Sequence, residues 1–193
     1  IMFMSTPFSI QDAKAVDPYV RIHKIASFEI NHVRLIEWLA KTGKPIIMST
    51  GASTFDEIDF AVNLSRRSGN QSLSLLQCTS KYPCSLDALN LSVIPKMAAR
   101  YNVPIGLSDH SLDPIIAPII AVGLGAKIIE KHFTLDKNLS GPDHKFALDP
   151  LELKMMIQSI RSAQKTLGDG KKRILNVEKE LREFAVRRIQ AIR

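Results

Sequence analysis

Two short polar clusters, each ending in a histidine, hold the residue types best suited to chemistry. The tripeptides Ser-Asp-His (108–110) and Glu-Lys-His (130–132) each follow an apolar run, and the two runs are successive along the chain. Neighbouring strands of a parallel sheet lie about 4.8 Å apart, so histidines at their C-terminal ends can bind one metal ion. Imidazole nitrogen with oxygen ligands and water suits Mn, Fe, Co or Zn. Their position in the sequence supports two interpretations equally: the histidines bind a metal ion, or they are structural residues held by hydrogen bonds.

A lysine and several hydroxyl groups follow two earlier apolar runs, in an arrangement typical of an anion site. Lys24 and Ser27 end the run at 23–27, and Ser-Thr-Gly (49–51), which contains Thr50, ends the next. A lysine with hydroxyls and a glycine that lets the backbone approach closely can hold a carboxylate or phosphate. For each motif taken singly, a lysine that reaches solvent beside an ordinary strand-end turn is a slightly better interpretation.

Four further polar residues follow the apolar runs, and two of them, Glu29 and Asp143, suit the recognition of a sugar or an amine. Glu29 can pair with an amine or a sugar hydroxyl, or lie on the surface as an ordinary acid. Ser80 and Tyr82 follow a third apolar run. Asp143 lies in a Gly-Pro loop that would present it beside the other polar clusters, although Gly-Pro-Asp is a common turn sequence.

Short apolar runs alternate with longer amphipathic segments along the chain. The runs are continuously apolar, which is typical of strands buried on both faces of a parallel sheet. Six of them lie at 1–6, 23–27, 45–49, 73–78, 104–107 and 126–130. Helices are predicted at 31–41 with Asn31 as the cap, at 54–67 after a capping box, and at 89–101, 114–124 and 150–167.

The spacing of the runs, roughly 20 to 30 residues, predicts repeated βαβ units. A (β/α)₈ barrel and a doubly wound sheet both satisfy this spacing, but the chain has no G-x-G-x-x-G turn of the kind nucleotide-binding doubly wound sheets carry. Polar clusters at the C-terminal end of run after run favour the (β/α)₈ TIM barrel, which keeps its chemistry there.

A complete barrel has eight strands, and the sequence shows six β/α units. The chain also begins inside an apolar run without a Met. We therefore expect an incomplete barrel at 1–168, with the first two units missing. A charged helical segment at 169–193 is expected to lead toward another, absent domain.

Composition excludes several classes of protein. The 193 residues carry a net charge of +7, but acids interrupt the basic residues near the C-terminus and no aromatic ladder accompanies them. A solvated helix face is therefore preferred over a nucleic-acid partner. No run of eighteen apolar residues is free of charge, which argues against a membrane span. Two cysteines do not make a disulfide framework, so a cytoplasmic location is expected.

Six motifs in order give the chain a resemblance to a known family. They are Lys-Ile-Ala-Ser (24–27), Met-Ser-Thr-Gly (48–51), Cys-Thr-Ser-Lys-Tyr-Pro (78–83), Gly-Leu-Ser-Asp-His (106–110), Glu-Lys-His-Phe-Thr (130–134) and Gly-Pro-Asp-His (141–144). Together they resemble the sialic acid synthases, with the pseudaminic and legionaminic acid synthases and a spore-coat polysaccharide protein. The segment at 186–188 resembles the join to that family's C-terminal antifreeze-like domain.

The resemblance implies a reaction and its partners. Phosphoenolpyruvate would be condensed with an N-acylated amino sugar such as N-acetylmannosamine, and phosphate would be released. His110 and His132 would hold a divalent metal, usually Mn²⁺, with Mg²⁺ or Co²⁺ as alternatives, and the metal would polarise the sugar aldehyde. The complete protein would be a homodimer.

The resemblance also implies a role for each polar residue. Lys24 would contact the carboxylate of phosphoenolpyruvate, and Lys131 would add positive charge. Phosphate would be held by Ser27, Thr50 and Ser108, and by Ser80, where well-studied members carry Asn. Tyr82 would line the site, and Glu29 and Asp143 would contact the sugar. The family's leading strands and C-terminal domain supply further site residues that this chain does not contain.

Two rival functions remain open. One is another phosphoenolpyruvate-condensing enzyme or a class II aldolase on the same barrel. The other is a catalytically incomplete barrel that only binds metal or a partner. The sequence does not fix the sugar, although Gly-Pro-Asp-His-Lys-Phe (141–146) leans toward a pseudaminate- or legionaminate-type substrate.

Overall fold

Five parallel strands form one sheet in chain order. The computed structural model describes residues 1–187. Within them the strands are β1 (His23–Ile25), β2 (Ile46–Ser49), β3 (Leu73–Cys78), β4 (Ile105–Asp109) and β5 (Ile129–Lys131). Each strand pairs in parallel with the next, including β3 with β4. The antiparallel arrangement that would have contradicted a barrel-type sheet is therefore absent from these strands.

Seven α-helices accompany the sheet in residues 1–187. They are α1 (Ile10–Val16), α2 (Val33–Lys41), α3 (Phe55–Arg67), α4 (Val93–Tyr101), α5 (Ile116–Gly123), α6 (Pro150–Leu167) and α7 (Lys179–Ala185). Helices α2 to α5 connect successive strands, as βαβ units require. None of the seven is long and apolar enough to cross a membrane.

The apolar run at 1–6 does not form a sixth strand. Only Ser5 pairs with the sheet, in a parallel bridge to His23, and residues 1–4 are exposed. The prediction of six strands was therefore wrong by one. An apolar run becomes a strand only where its backbone groups find hydrogen-bonding neighbours, and in this segment Ser5 alone has one.

Helix boundaries follow local capping more closely than the apolar pattern. The capping box at Thr54 and Glu57 is confirmed, since each residue accepts a hydrogen bond from the other's backbone N–H. Helix α2 is capped by His32 rather than Asn31, because the Nδ1 atom of His32 accepts from the backbone N–H of Leu35. Helix α4 begins at residue 93 rather than 89, after a 3₁₀ turn and Asn90 in a left-handed conformation. Helix α1 was not predicted.

One face of the sheet packs against helices to form the core. Met48, Leu75 and Leu107 lie on that face, one on each of the three central strands, and all are fully buried. Strand residues alternate between faces. The residues between them on each strand therefore line the opposite face, where the polar clusters lie.

The charged C-terminal segment lies on the surface. Residues 167–187 are all exposed, and only α7 and a preceding 3₁₀ turn are helical after α6. The division into a domain at 1–168 and a linker at 169–193 stays a prediction. Its last part, including residue 188 of the predicted join to the next domain, lies outside the described residues.

Candidate active site

A cavity of about 350 Å³ opens at the C-terminal ends of the strands. Its wall includes residues from all five strand ends and from the N-terminal segment. They are Thr6, Phe8, Lys24, Ala26, Ser27, Phe28, Ser49, Cys78, Tyr82, Ser108, His110, Glu130, Lys131 and His132. Seven of the eleven predicted site residues are among them. Glu29, Thr50, Ser80 and Asp143 are not.

Lys24 places a buried ammonium group on the cavity wall. The side chain rises from β1 and is 6% exposed. Its Nζ atom donates to Ser49 Oγ at 2.7 Å and to the carbonyl of Ile25 at 3.3 Å. Glu130 lies 3.6 Å away. Burial lowers the pKa of Lys24, and the nearby Glu130 carboxylate works against that change. A cation in this poorly hydrated position attracts an anion more strongly than one at the surface.

Ser108 and Glu130 are paired across β4 and β5. They are registered neighbours in the sheet, and Ser108 Oγ donates to Glu130 Oε1 at 2.7 Å. Glu130 was part of a recognised motif but received no predicted role. The two-residue period of a strand offered a signal, because it places Glu130 on the same face as His132.

The two histidines lie beside each other at the ends of β4 and β5. Their ring centroids are 5.6 Å apart and the ring planes meet at 63°. The Nδ1 atom of His110 lies 2.9 Å from the carbonyl oxygen of Thr79. Because a carbonyl only accepts, the proton belongs on Nδ1 and the lone pair lies on Nε2, which is 3.5 Å from Ser108 Oγ.

The environments of the two rings move their pKa values in opposite directions. Burial works against the charged form of His110, but contacts with Cys78 and with the Thr79 carbonyl raise its pKa overall. Burial and the neighbouring His110 lower the pKa of His132, which favours its neutral form. A neutral imidazole is the form that binds metal ions.

The histidine pair fits a divalent metal. A ligand histidine commonly donates its other N–H to a backbone carbonyl, as His110 does to Thr79. Asp143 adds a carboxylate oxygen 3.7 Å from His132 Nε2. Residues 1–187 contain no group of three or more His, Cys, Asp or Glu side chains arranged for a metal. A metal here would therefore take two protein nitrogens and complete its coordination with water or substrate oxygens.

Gly51 forms a close-packed corner beside Lys24. Its backbone N–H donates to Ser27 Oγ at 3.0 Å. A Cβ atom at this position would overlap Ser80 Oγ and would lie 2.9 Å from both Ser27 Oγ and Cys78 Sγ. Ser80 thus lies next to the cavity wall without forming part of it. Thr50 points elsewhere, since its hydroxyl donates to the Leu76 carbonyl and it lines a neighbouring cavity.

Aromatic rings close one side of the cavity. The Tyr82 ring lies 4.0 Å from the His110 ring and 5.7 Å from the His132 ring, measured between centroids. Burial raises the pKa of the Tyr82 hydroxyl, so it stays protonated and can donate a hydrogen bond. Phe146 lies 5.1 Å from His132 and was not predicted. An isolated Phe in a loop carries no sequence signal for this position.

The structure defines the surroundings of three further predicted residues. Lys131 contributes to the wall, but its ammonium group pairs with Asp109 at 2.7 Å. Glu29 lies in the 3₁₀ turn after β1 and is partly exposed. The side chain of Asp143 is 60% exposed beside His132.

Comparison with known proteins identifies the family of this chain. The NeuB family model matches residues 1–172, and the chain belongs to that family. It is 44% identical over 180 residues to the spore coat polysaccharide biosynthesis protein SpsE of Bacillus subtilis, covering 86% of the chain and 48% of the relative. The chain therefore spans about half the length of this curated relative.

Solved structures show the same architecture. The N-acetylneuraminic acid (sialic acid) synthetase of Leptospira borgpetersenii, solved with citrate, superposes with a TM-score of 0.88 at 37% identity, over 95% of this chain and 64% of that one. A truncated 3-deoxy-D-arabino-heptulosonate 7-phosphate synthase of Thermotoga maritima superposes with a TM-score of 0.76 at 22% identity, over 86% and 66% of the two chains. The latter likeness concerns the fold alone, a curled half-barrel of parallel strands.

Proposed function

We propose that the protein condenses phosphoenolpyruvate with an N-acylated amino sugar, such as N-acetylmannosamine, to form a nonulosonic acid and phosphate. One observation carries the proposal. The buried ammonium of Lys24, the hydroxyl groups of Ser27 and Ser108, and the histidine pair share one cavity of a size suited to small substrates. The synthase names among the family's relatives agree with this reaction.

Lys24 and the neighbouring hydroxyls would bind phosphoenolpyruvate. In this arrangement the ammonium group meets the carboxylate and Ser27 donates to the phosphate, and Ser108 would donate as well once its O–H turns away from Glu130. Glu130 keeps the ammonium group of Lys24 directed along the cavity wall. Because these groups are already in place, little reorganisation is required when the substrate enters.

The other wall would orient the sugar. Tyr82 has a hydroxyl able to donate, and Glu29 and Asp143 lie near the mouth for contacts with sugar hydroxyls or the N-acyl group. A divalent metal, Mn²⁺ by preference, would be held by His110 and His132 and would polarise the sugar aldehyde. In the balanced reaction, C3 of phosphoenolpyruvate bonds to the aldehyde carbon, water adds to C2, and phosphate leaves by cleavage of its C–O bond.

The proposal extends to the complete protein. The five strands would belong to a (β/α)₈ barrel whose remaining strands come from outside this chain, and the protein would act as a homodimer. We also propose a cytoplasmic location, because the two cysteines of the sequence do not make a disulfide framework. Of the candidate sugars, those of the pseudaminate or legionaminate type are preferred, on the basis of the loop at 141–146.

The test is phosphate release by the complete protein. Phosphoenolpyruvate and Mn²⁺ are supplied with a panel of N-acylated six-carbon sugars, and the product is identified by mass spectrometry. We expect phosphate release with one N-acylated amino sugar, and its loss when His110→Ala and His132→Ala are combined, because both proposed metal ligands are then gone. Turnover with arabinose or erythrose phosphates instead, or full activity in the double variant, would contradict the proposal.

A further inference from the structure

Asp109 and Lys131 form an ion pair that is almost completely buried. The Oδ2 atom of Asp109 lies 2.7 Å from Nζ of Lys131, and the side chains are 0% and 3% exposed. The two residues are also the last registered pair of β4 and β5. The second carboxylate oxygen accepts from the backbone N–H of Ser111 at 2.8 Å. The pair therefore joins the ends of the two strands and the loop that follows β4.

The ammonium group of Lys131 is fully used inside the protein. It also donates to the carbonyl and hydroxyl oxygens of Ser111, and lies 3.4 Å from the carbonyl of Asp113. None of these partners lines the cavity. An ammonium group has three N–H donors. With all of them directed at Asp109 and this loop, none remains for a substrate.

The ion pair lies directly behind the two candidate metal ligands. His110 follows Asp109 in the chain and His132 follows Lys131. Successive residues of a strand face opposite sides, so the histidines are directed into the cavity and the ion pair toward the helices. The carbonyl of His110 accepts from Cys84 N–H, and that of His132 from Leu148 N–H, each at 2.8 Å. Those bonds connect each histidine to a different neighbouring loop rather than to the other histidine. The side chains of Asp109 and Lys131, the residues that precede the histidines, are bonded directly to each other.

We propose that Asp109 and Lys131 are positioning residues that fix the separation of His110 and His132. This inference rests on the metal site of the proposed function and assigns Lys131 a different role from the catalytic one predicted for it. A buried ion pair is weak evidence for stability, but it accepts few geometries. It thereby holds the strand ends at one spacing, and the imidazole centroids at the observed 5.6 Å.

The experiment measures binding of Mn²⁺ alone to the complete protein by calorimetry, without substrates. Lys131→Met is expected to weaken Mn²⁺ binding about tenfold or more, as loss of supporting contacts does at other metal sites. Lys44→Met is the matched control. Lys44 pairs with Asp17 at the same 2.7 Å but precedes β2 at the opposite end of the sheet. The Lys44→Met substitution should lower the unfolding temperature and leave the Kd for Mn²⁺ unchanged.

A second variant separates positioning from buried charge. Lys131→Met leaves the Asp109 carboxylate buried without its partner, which destabilises a protein for that reason alone. Combining it with Asp109→Asn removes both charges, and this double variant is expected to fold and still bind Mn²⁺ weakly. Wild-type affinity in either folded variant overturns the proposal, and so does failure of both to fold, which would make the pair a stability element. A wild-type protein that binds no Mn²⁺ would instead overturn the metal site itself.

Discussion

Short side chains converge on Gly51, which makes the close-packed corner at this residue sensitive to a single added methyl group. Ser27, Cys78 and Ser80 all lie within contact of the position that a Cβ atom would take. Two of these three side chains carry hydroxyls at or beside the cavity wall. A shift of a few tenths of an ångström here would move the Ser27 hydroxyl, which the proposed function assigns to phosphate binding.

Replacing Gly51 by Ala should therefore impair catalysis more than folding. The methyl group would displace Ser80 and Ser27 and disturb the bond from the Gly51 N–H, and displacements of about 1 Å in an active site can cost on the order of a hundredfold in rate. We expect kcat/KM for phosphoenolpyruvate to fall by roughly that factor. Steady-state kinetics of phosphate release measure it.

Gly123→Ala provides the control. No atom lies within 4 Å of a Cβ at this position, and Gly123 ends helix α5 far from the cavity. Its kinetics should match the wild type, with stability unchanged or raised by up to about 1 kcal/mol. Equal kinetics in the Gly51 and Gly123 variants would show that the corner does not touch the substrate.

At the scale of elements, strands and helices contribute differently to the site. Strand β4 and the residue after it contribute Ser108 and His110 to the cavity wall, and β5 and the residue after it contribute Glu130, Lys131 and His132. The ammonium group of Lys131 is nevertheless directed toward Asp109. Helix α3 begins just after Gly51 and sets the path of the loop that contains it. The start of α3 is therefore a structural determinant of the site as well as of the fold.

The capping box of α3 should contribute measurable stability. Thr54 Oγ1 accepts from the Glu57 N–H, and a hydroxyl cap of this kind is worth about 1 kcal/mol. Thr54→Ala is expected to lower the free energy of unfolding by about that amount in urea titrations. Ser92→Ala is matched to it, because Ser92 precedes α4 without any side-chain capping bond. A loss as large in the Ser92 variant would mean that the cap is not the cause.

At the scale of the whole molecule, ion pairs connect elements that the backbone leaves apart. Asp17, in the turn after α1, is bonded to Lys44 before β2 and to His23 at the start of β1. Asp59 on α3 is bonded to Arg100 on α4 at 2.9 Å. Hydrogen bonds from Lys44 lower the pKa of Asp17, and those from Arg100 lower the pKa of Asp59.

These lowered pKa values predict that acid destabilises the fold. A carboxyl whose pKa is lower in the folded state contributes stability that is complete above its unfolded value, about 3.9 for Asp, and is lost as the pH falls through the folded value. The contribution of these two groups to the urea midpoint of unfolding should therefore be constant between pH 7 and pH 5. The midpoint should decrease once the pH is lowered below about 4. Asp17→Asn and Asp59→Asn should each make that fall shallower. If the urea midpoint of a variant depends on pH just as that of the wild type does, the replaced carboxylate does not contribute to the loss of stability in acid.

The sequence by itself determined the features that depend on neighbouring residues. The period of the apolar runs located five parallel strands, and the capping box located the start of α3. Because parallel strands end at the same edge of a sheet, the order of the motifs also placed Lys24, Ser108 and the two histidines at one site. The same motifs indicated the family.

Only the tertiary structure decided the features that depend on contacts between distant residues. The run at 1–6 is as apolar as the others, but apolar composition does not supply hydrogen-bonding partners, and Ser5 alone finds one. Phe146 lies beside His132 because of loop packing that no local pattern encodes. For Lys131, the sequence offered a positive charge beside a histidine, and folding directed that charge to Asp109. The direction of a side chain is set by the face of the strand and by its partners there, which exist only once the sheet has formed.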